Sequence, residues 1–481
     1  MSNHPTSELL GRLSRLLGPK GFEDDPAALA PWLVDWRGRY RGGAAAMLSP
    51  ASAAEVAQIV RLCGAERVAL VPQGGNSSMV GGATPDGAGN ALLLSLRRMN
   101  AIRSISDQLA VCEAGVILSD LHASAAAIGR RFPLTLGARG SATVGGLVST
   151  SAGGTQVLRF GTMRALVEGV EAVLADGSLF EGLRPLKKDN RGYDLKQLLI
   201  GAEGTLGIVT AASLRLVPAI GSRAVAWVGL ASAEAALELL RLAEQKTGET
   251  VESFELIPLS SLDLVVAQIH GTRSPLSGRH SWHVLIEATA PPGAPSPEAA
   301  LLSVLEEAAA AGLVADAVIA ANDTQAEDFW RIRDSISEAE RKDGEAAKHD
   351  VSVEVGEMPR FIREASAAVE ARFPGTRVNA FGHLGDGNVH FNVRAPAEAE
   401  EDWLERDGAA ISAFVHDLVT AAGGSISAEH GIGQMKVAEL ARLGDPVRLA
   451  AMRAIKHALD PAGIMNPGKL VPPLAEAPLR P

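Results

Sequence analysis

VALVPQGGNSSMVGG, Val68 to Gly82, opens as a short apolar strand and closes as a loop in which four of ten residues are glycine. Successive backbone N–H groups in such a loop can line an anion-binding nest suited to a pyrophosphate. Helix-like EVAQIVRLC precedes it. Two further loops share the texture: LGARGSATVGGLVSTSAGG, Leu136 to Gly154, and IGAEGTLGIVT, Ile200 to Thr210. A tight turn accounts for one such loop. Three within about 140 residues point to close backbone approach to a large, flat, phosphorylated ligand. None places GxGxxG between a strand and a helix, so a Rossmann dinucleotide site is unsupported. GIMNPGKL imitates a P-loop but lacks its Ser/Thr, contains a proline and precedes no helix. GxSxG and HExxH are absent, which removes two common hydrolase routes.

Outward from the first loop, residues 45–219 alternate short apolar strands with glycine-dense loops. LAVCEAG reads as a strand, ILSDLHASAAAIG as a helix, and EAVLADGSLFEG as a hairpin around Asp-Gly. The segment is α+β, with residues 1–44 before it as an N-terminal helical piece whose leucines are spaced amphipathically. From 220 to 398 strands alternate with long helices: RAVAWVGL, SWHVLIEATA, ADAVIA and HDVSVEV against SAEAALELLRLAEQ, PEAALLSVLEEAAAA, DTQAEDFWRIRDSISEAERK and MPRFIREASAAVEARF. One antiparallel sheet with helices on one face is expected. VPAIGS marks the boundary between these segments. Residues 399–481 add two helices around SAEHGIG and a loose proline-rich tail.

The 481 residues carry 45 Lys and Arg against 56 Asp and Glu, with no basic run longer than two, which excludes a nucleic-acid face. Two cysteines, Cys63 and Cys112, cannot build a disulfide framework or a Cys-rich zinc site. A reducing, cytoplasmic compartment is expected. No apolar run approaches the ~18 residues of a membrane span.

FGHLGDGNVHFNV, Phe381 to Val393, sets two histidines around an Asp-Gly turn. A two-residue type I′ turn at Asp386-Gly387 would pair His383 with His390 on one face, Cβ atoms ~4.5–5.5 Å apart. Two imidazoles so placed can reach one metal ion. Asn392, two residues on, faces the same side. A third ligand is available in SAEHGIG, where Glu429 and His430 are adjacent; neighbours in an extended chain point apart, giving one ligand and one separate catalytic group. Histidine with carboxylate suits Zn2+, Mn2+ or Fe2+. With an open position, such a set is a Lewis-acid site.

PQGGNSSMVGG, SATVGGLVSTSAGG…RFG, KKDNRGYDLKQLLIGAEGTLGIVT, FGHLGDGNVHFNV, SAEHGIG and DPAGIMNPGKL together resemble the FAD-linked D-2-hydroxy-acid dehydrogenases of the vanillyl-alcohol-oxidase/p-cresol-methylhydroxylase fold. The resemblance covers residues 35–472 in the family's order, and PQGGN with KDN-GYDLKQL is similar to its 2-hydroxyglutarate branch. It implies a two-lobed FAD-binding domain at 45–219, a substrate cap at 220–398 and a C-terminal segment packing back on the FAD domain. It implies non-covalent FAD held by Pro72, Gln73, Gly74, Gly75, Asn76, Ser77 and Ser78 of the first loop. From the second run come Gly137, Gly140, Ser141, Gly145, Gly146, Ser151, Gly153 and Gly154, with Gly161 beyond. Glu203, Gly204, Gly207 and Ile208 follow, and Asn466 near the C-terminus. The sequence departs from the family at Ser77-Ser78 (usually Thr-Gly), Ser151 (Asn) and Ala202 (Ser). Ser78 surrenders glycine's backbone freedom, and Ala202 lacks a hydroxyl that could bond the flavin.

The resemblance also implies a metal at His383, His390 and Glu429, with His430 as the base. Arg333, Ser337 and Lys348 match a distal-carboxylate pocket, Arg333 and Ser337 being four apart on one helix face. The expected reaction is oxidation of a D-2-hydroxy acid, D-2-hydroxyglutarate foremost, with D-lactate and D-malate as alternatives. A flavin-free metal-dependent hydrolase is the rival from another class. An electron-transferring flavoprotein or a quinone is the expected acceptor, and a homodimer the expected assembly.

Overall fold

The computed structural model describes residues 3–473; the end of the proline-rich tail lies outside them. The chain divides into two compact units. Unit 1 comprises residues 1–154, 162–217 and 429–481, and unit 2 comprises 155–161 and 218–428. Residues 399–428 thus belong with unit 2, and the segment from Glu429 with unit 1.

Unit 1 holds two main sheets. In the first, Ala69–Gln73 and Ala44–Leu48 flank Ala91–Ser95 in parallel, with Phe22–Glu23 antiparallel at the edge. Helix Ala53–Glu66 links its strands. Ser52 Oγ caps it by accepting the Glu55 N–H at 3.2 Å, while Glu55 accepts the Ala51 N–H at 2.7 Å, a side-chain exchange that satisfies two otherwise orphaned donors. The apolar stripe Val56, Ile59, Val60 and Cys63 packs on the fully buried strand residues Leu48, Leu70, Leu92 and Leu94. The second sheet is antiparallel, ordered Ile102–Ile105, Leu109–Glu113, Ile208–Arg215, Val167–Val173, Leu179–Gly182. Gln73 ends a strand of the first sheet and Ile208 begins one of the second, so the first glycine loop leaves a fixed strand end and the third runs into one.

Unit 2 is built on one seven-stranded antiparallel sheet, ordered Val314–Ile319, Ser222–Leu230, Trp282–Ala290, Val251–Pro258, Arg377–His383, Asn388–Arg394, Ala346–Ser352. Alternation decides its faces. Ala226, Val228, Leu256, Ile286, Val351 and Phe391 point to one side, covered by helices Ala233–Thr247, Glu298–Ala310, Met358–Arg372 and Trp403–Ala421. The expectation of helices on a single face is corrected. Trp227, Ile257, Leu285 and Phe381 point the other way, where they meet residues of helices Leu259–Gln268, Asp323–Asp334 and Ile336–Lys342. The same face also carries buried polar residues, among them Asn379, Asp350, Asn388 and Asn392.

Candidate functional site

Unit 1 contains a cavity of about 740 Å³ walled by all three glycine loops, within the size range of cofactor sites. Pro72 to Ser78, Gly137, Gly140, Ser141, Gly145, Gly146, Gly153, Glu203, Gly204, Gly207 and Ile208 line it, as do Glu429 and His430. Ser151, Gly154, Gly161 and Asn466 do not. Gly161 lies in unit 2, closing the short helix Val157–Phe160 at φ +74°. Ser151 ends helix Val144–Thr150 in the left-handed conformation at φ 49°, where asparagine is better tolerated.

Two glycines draw the first loop against the second run. A Cβ on Gly75 would collide with the Ser141 carbonyl, and one on Gly74 with the Thr143 hydroxyl. Gly137 and Gly140 instead have open space beside them. Thr143 Oγ1 and Gln73 Oε1 are buried in the cavity wall without a hydrogen-bond partner among the described residues, as expected of polar atoms awaiting a polar ligand. Size, backbone exposure and these two atoms fit FAD. Ser78 keeps a negative φ, and its Oγ accepts the Gly82 N–H at 3.2 Å, so the loss of glycine there strains nothing.

Glu203, on the wall, and Asn466, behind it, brace the cavity. The Glu203 carboxylate accepts the N–H groups of Ile432 and Gly433, each at 2.7 Å, fixing the loop that carries Glu429 and His430. Burial pushes its carboxyl up, against those two hydrogen bonds. Asn466 Nδ2 donates to the carbonyls of Glu203 at 2.7 Å and Gly82 at 3.0 Å, tying first loop, third loop and C-terminal segment together.

In unit 2 the second sheet face bears three polar rows. The first is Ser352, Asn388, His383 and Glu255; the second is Asp350, His390 and Phe381; the third is Lys348, Asn392 and Asn379. The expected hairpin register is corrected: His383 pairs with Asn388, and His390 with Phe381. A type I′ turn needs both central residues at positive φ, whereas Asp386 keeps a negative φ and only Gly387 (φ +78°) is left-handed. The turn therefore spans Leu384–Gly387, with His383 O accepting from Asp386 N at 3.2 Å and Gly387 N at 3.1 Å. The histidines still share a face, now diagonally, with ring centroids 5.4 Å apart.

His383 Nδ1 lies 2.7 Å from Glu255 Oε1, and its Nε2 lies 3.3 Å from Arg333 Nη2. Arginine can only donate, so Nε2 keeps its lone pair and Nδ1 carries the proton given to Glu255. That is the tautomer a metal ligand needs, and an ion at Nε2 would take the place of the Arg333 donor. Glu255 also accepts from Arg333 Nε at 2.8 Å. Burial would push its carboxyl up, but Arg333 and His383 outweigh this and hold it at about 2. The sequence reading missed Glu255; its signal was a carboxylate, one of two, within the otherwise apolar strand VESFELIP.

Arg333 reaches this face, but Ser337 is exposed. The predicted single helix breaks at Ser335, whose ψ of −7° departs from the helical −42° and ends the shared face. Lys348 Nζ lies 3.4 Å from Glu340, and Asn392 Nδ2 donates to Glu340 at 2.8 Å. Glu340, too, was missed.

Residues 221–470 match the family described as FAD linked oxidases, C-terminal domain, and residues 44–182 match FAD binding domain. The chain is 39% identical over 462 residues to D-2-hydroxyglutarate dehydrogenase, mitochondrial, of Arabidopsis thaliana, covering 95% of this chain and 80% of that protein. It is 33% identical over 474 residues to a putative D-lactate dehydrogenase, mitochondrial, of Schizosaccharomyces pombe, covering 96% and 88%. Among solved structures, p-cresol methylhydroxylase with substrate bound superposes with a TM-score of 0.71 at 15% identity, covering 97% of each chain, which shows the fold. The cytoplasmic expectation is corrected by these names, which place both relatives in mitochondria; a low cysteine count does not distinguish one compartment from the other. With FAD-oxidase domains along its length and that identity over nearly all of it, the chain is an FAD-linked oxidoreductase acting on CH–OH and belongs to the D-2-hydroxyglutarate dehydrogenase family.

Proposed function

We propose that the protein oxidises D-2-hydroxyglutarate to 2-oxoglutarate, with non-covalent FAD and a divalent metal. FAD supplies the hydride acceptor for C2. His383, His390 and Glu429 are the proposed ligands of the ion, whose donor set suits Zn2+, with Mn2+ or Fe2+ as variants; such an ion would polarise the substrate hydroxyl. His430 takes the hydroxyl proton, since imidazole titrates near working pH. Arg333 and Lys348 orient the distal carboxylate. The observation that carries the reading is His430 on the wall of the cavity that suits FAD. An electron-transferring flavoprotein or a quinone is the proposed acceptor, and a homodimer the proposed assembly.

A shorter or uncharged substrate such as D-lactate is the second reading. It is favoured by the existing pairing of Lys348 with Glu340 and by the exposure of Ser337. Anaerobic mixing with D- and L-2-hydroxy acids tests both. D-2-hydroxyglutarate is expected to bleach the flavin, its L-enantiomer is not, and chelation is expected to slow bleaching. Bleaching by D-lactate alone supports the second reading. Bound flavin that no D-2-hydroxy acid bleaches removes both.

A further inference from the structure

Glu340 is fully buried, and both its oxygens are occupied as acceptors. Oε1 accepts from Asn379 Nδ2 at 2.8 Å; Oε2 accepts from Asn392 Nδ2 at 2.8 Å and faces Lys348 Nζ at 3.4 Å. Three donors on two oxygens call for a carboxylate. The arrangement is held from outside. Ser260 and Ser261 donate to Asn379 Oδ1 at 2.9 and 3.0 Å, which leaves the Asn379 amide nitrogen turned to Glu340. Arg394 donates to the Glu340 carbonyl at 2.8 Å and pairs with Asp343, pinning the end of that helix. Register does the rest: Lys348, Asn392 and Asn379 stand side by side on three adjacent strands, and the Glu340 side chain meets all three.

This changes what Lys348 offers a ligand. An ammonium group beside a desolvated carboxylate presents a charge pair, and a second carboxylate approaching it gains from one charge while opposing the other. The other cation of the proposed pocket is in the same position, since Arg333 is paired with buried Glu255 at 2.8 Å. Glu255, however, also holds His383, whereas Glu340 forms its ion pair with Lys348.

We infer that Glu340 is the specificity-determining residue of this site. It offsets the charge of Lys348, so the pocket admits five-carbon D-2-hydroxy acids with an uncharged tail alongside the dicarboxylate. The inference rests on the proposed contact between Lys348 and the distal end of the substrate.

The test compares D-2-hydroxyglutarate with D-2-hydroxyvalerate, which has the same chain length and no distal charge, by kcat/KM on the FAD-loaded enzyme. In the wild type the two are expected to lie within about tenfold, or ~1.4 kcal/mol. Glu340→Gln is expected to raise the ratio in favour of the dicarboxylate by at least about tenfold, through a lower KM at unchanged kcat, with D-2-hydroxyvalerate unmoved. The gain is expected to vanish in a Lys348→Met background. A wild-type preference for the dicarboxylate above about a hundredfold, or a ratio that Glu340→Gln leaves unchanged or lowers, overturns the inference. Lys348→Ala separates the two failures. If it lowers kcat/KM for both substrates equally, the Lys348 contact itself is wrong and the inference falls with it. If it selectively harms the dicarboxylate while Glu340→Gln moves nothing, only the inference falls.

Discussion

His383 acquires its chemistry from two residues that are distant in sequence. Glu255 receives the Nδ1 proton and Arg333 points a donor at Nε2, so the ring is both oriented and fixed in one tautomer. Carboxylates that hold a ligating imidazole this way typically account for ten- to a hundredfold in metal affinity. Glu255→Gln keeps the shape and replaces the acceptor charge by an amide that can present either end to the ring. At the metal site proposed above, affinity, measured by competition with a chromophoric chelator on metal-free protein, is expected to weaken by about ten- to a hundredfold, with FAD content unchanged. Equal affinity in variant and wild type would leave Glu255 with a structural role only. The two histidines were legible from FGHLGDGNVHFNV because they are polar residues flanking a turn signal. Glu255 and Glu340 were not, because a carboxylate in an otherwise apolar strand or a charged helix shows its partners only after the sheet brings them together.

At the scale of elements, the hairpin shows what a short pattern can settle. Parity is robust: Asp-Gly places a turn between the histidines, and both two-residue and four-residue loops leave them on the same face. Register is not, because it depends on whether Asp386 adopts positive φ, and that is decided by contacts beyond the hairpin, such as Leu384 N donating to Phe254 O at 2.9 Å. The helix over 323–342 was read from one continuous amphipathic run, and Ser335 gave no breaker signal. The start of strand Trp282–Ala290 carries a further consequence. His283 is buried, and its Nδ1 accepts the indole N–H of Trp227 at 3.1 Å. Burial first, then neighbouring His280, lower its pKa from 6.5 to about 4. The folded state therefore binds fewer protons than the unfolded chain between those values. Stability from this group is fully present above pH 6.5 and is lost as pH falls towards 4. The melting temperature of the wild type is expected to fall across that window, and His283→Gln, which can accept the indole N–H without titrating, is expected to flatten the fall. An identical slope in the variant would show that other groups govern acid unfolding.

At the scale of the molecule, each unit has its own apolar core, and the cavity belongs to unit 1 alone. The change of texture between residues 45–219 and 220–398 announced more than one unit, and the three glycine loops announced a flat phosphorylated ligand. VPAIGS marks the crossing at 218, but the excursion of residues 155–161 and the return after residue 428 could not be read, because no turn signal there distinguishes a loop within a unit from a crossing. Since the cavity walls come from the first, second and third glycine loops and the segment after Glu429, FAD bound there couples pieces of chain far apart in sequence. A ligand that binds only the folded state at a hundred times its Kd adds about 2.7 kcal/mol, which for a unit of this size is a rise of roughly 5–10 °C. Calorimetry of flavin-stripped protein with added FAD is expected to show that rise. Gly75→Ala, whose Cβ meets the Ser141 carbonyl, forces the first loop off the second run and is expected to abolish the FAD-dependent rise, measured from the variant's own flavin-free baseline. A variant that gains as many degrees from FAD as the wild type would mean that the contact of these two loops does not shape the flavin site.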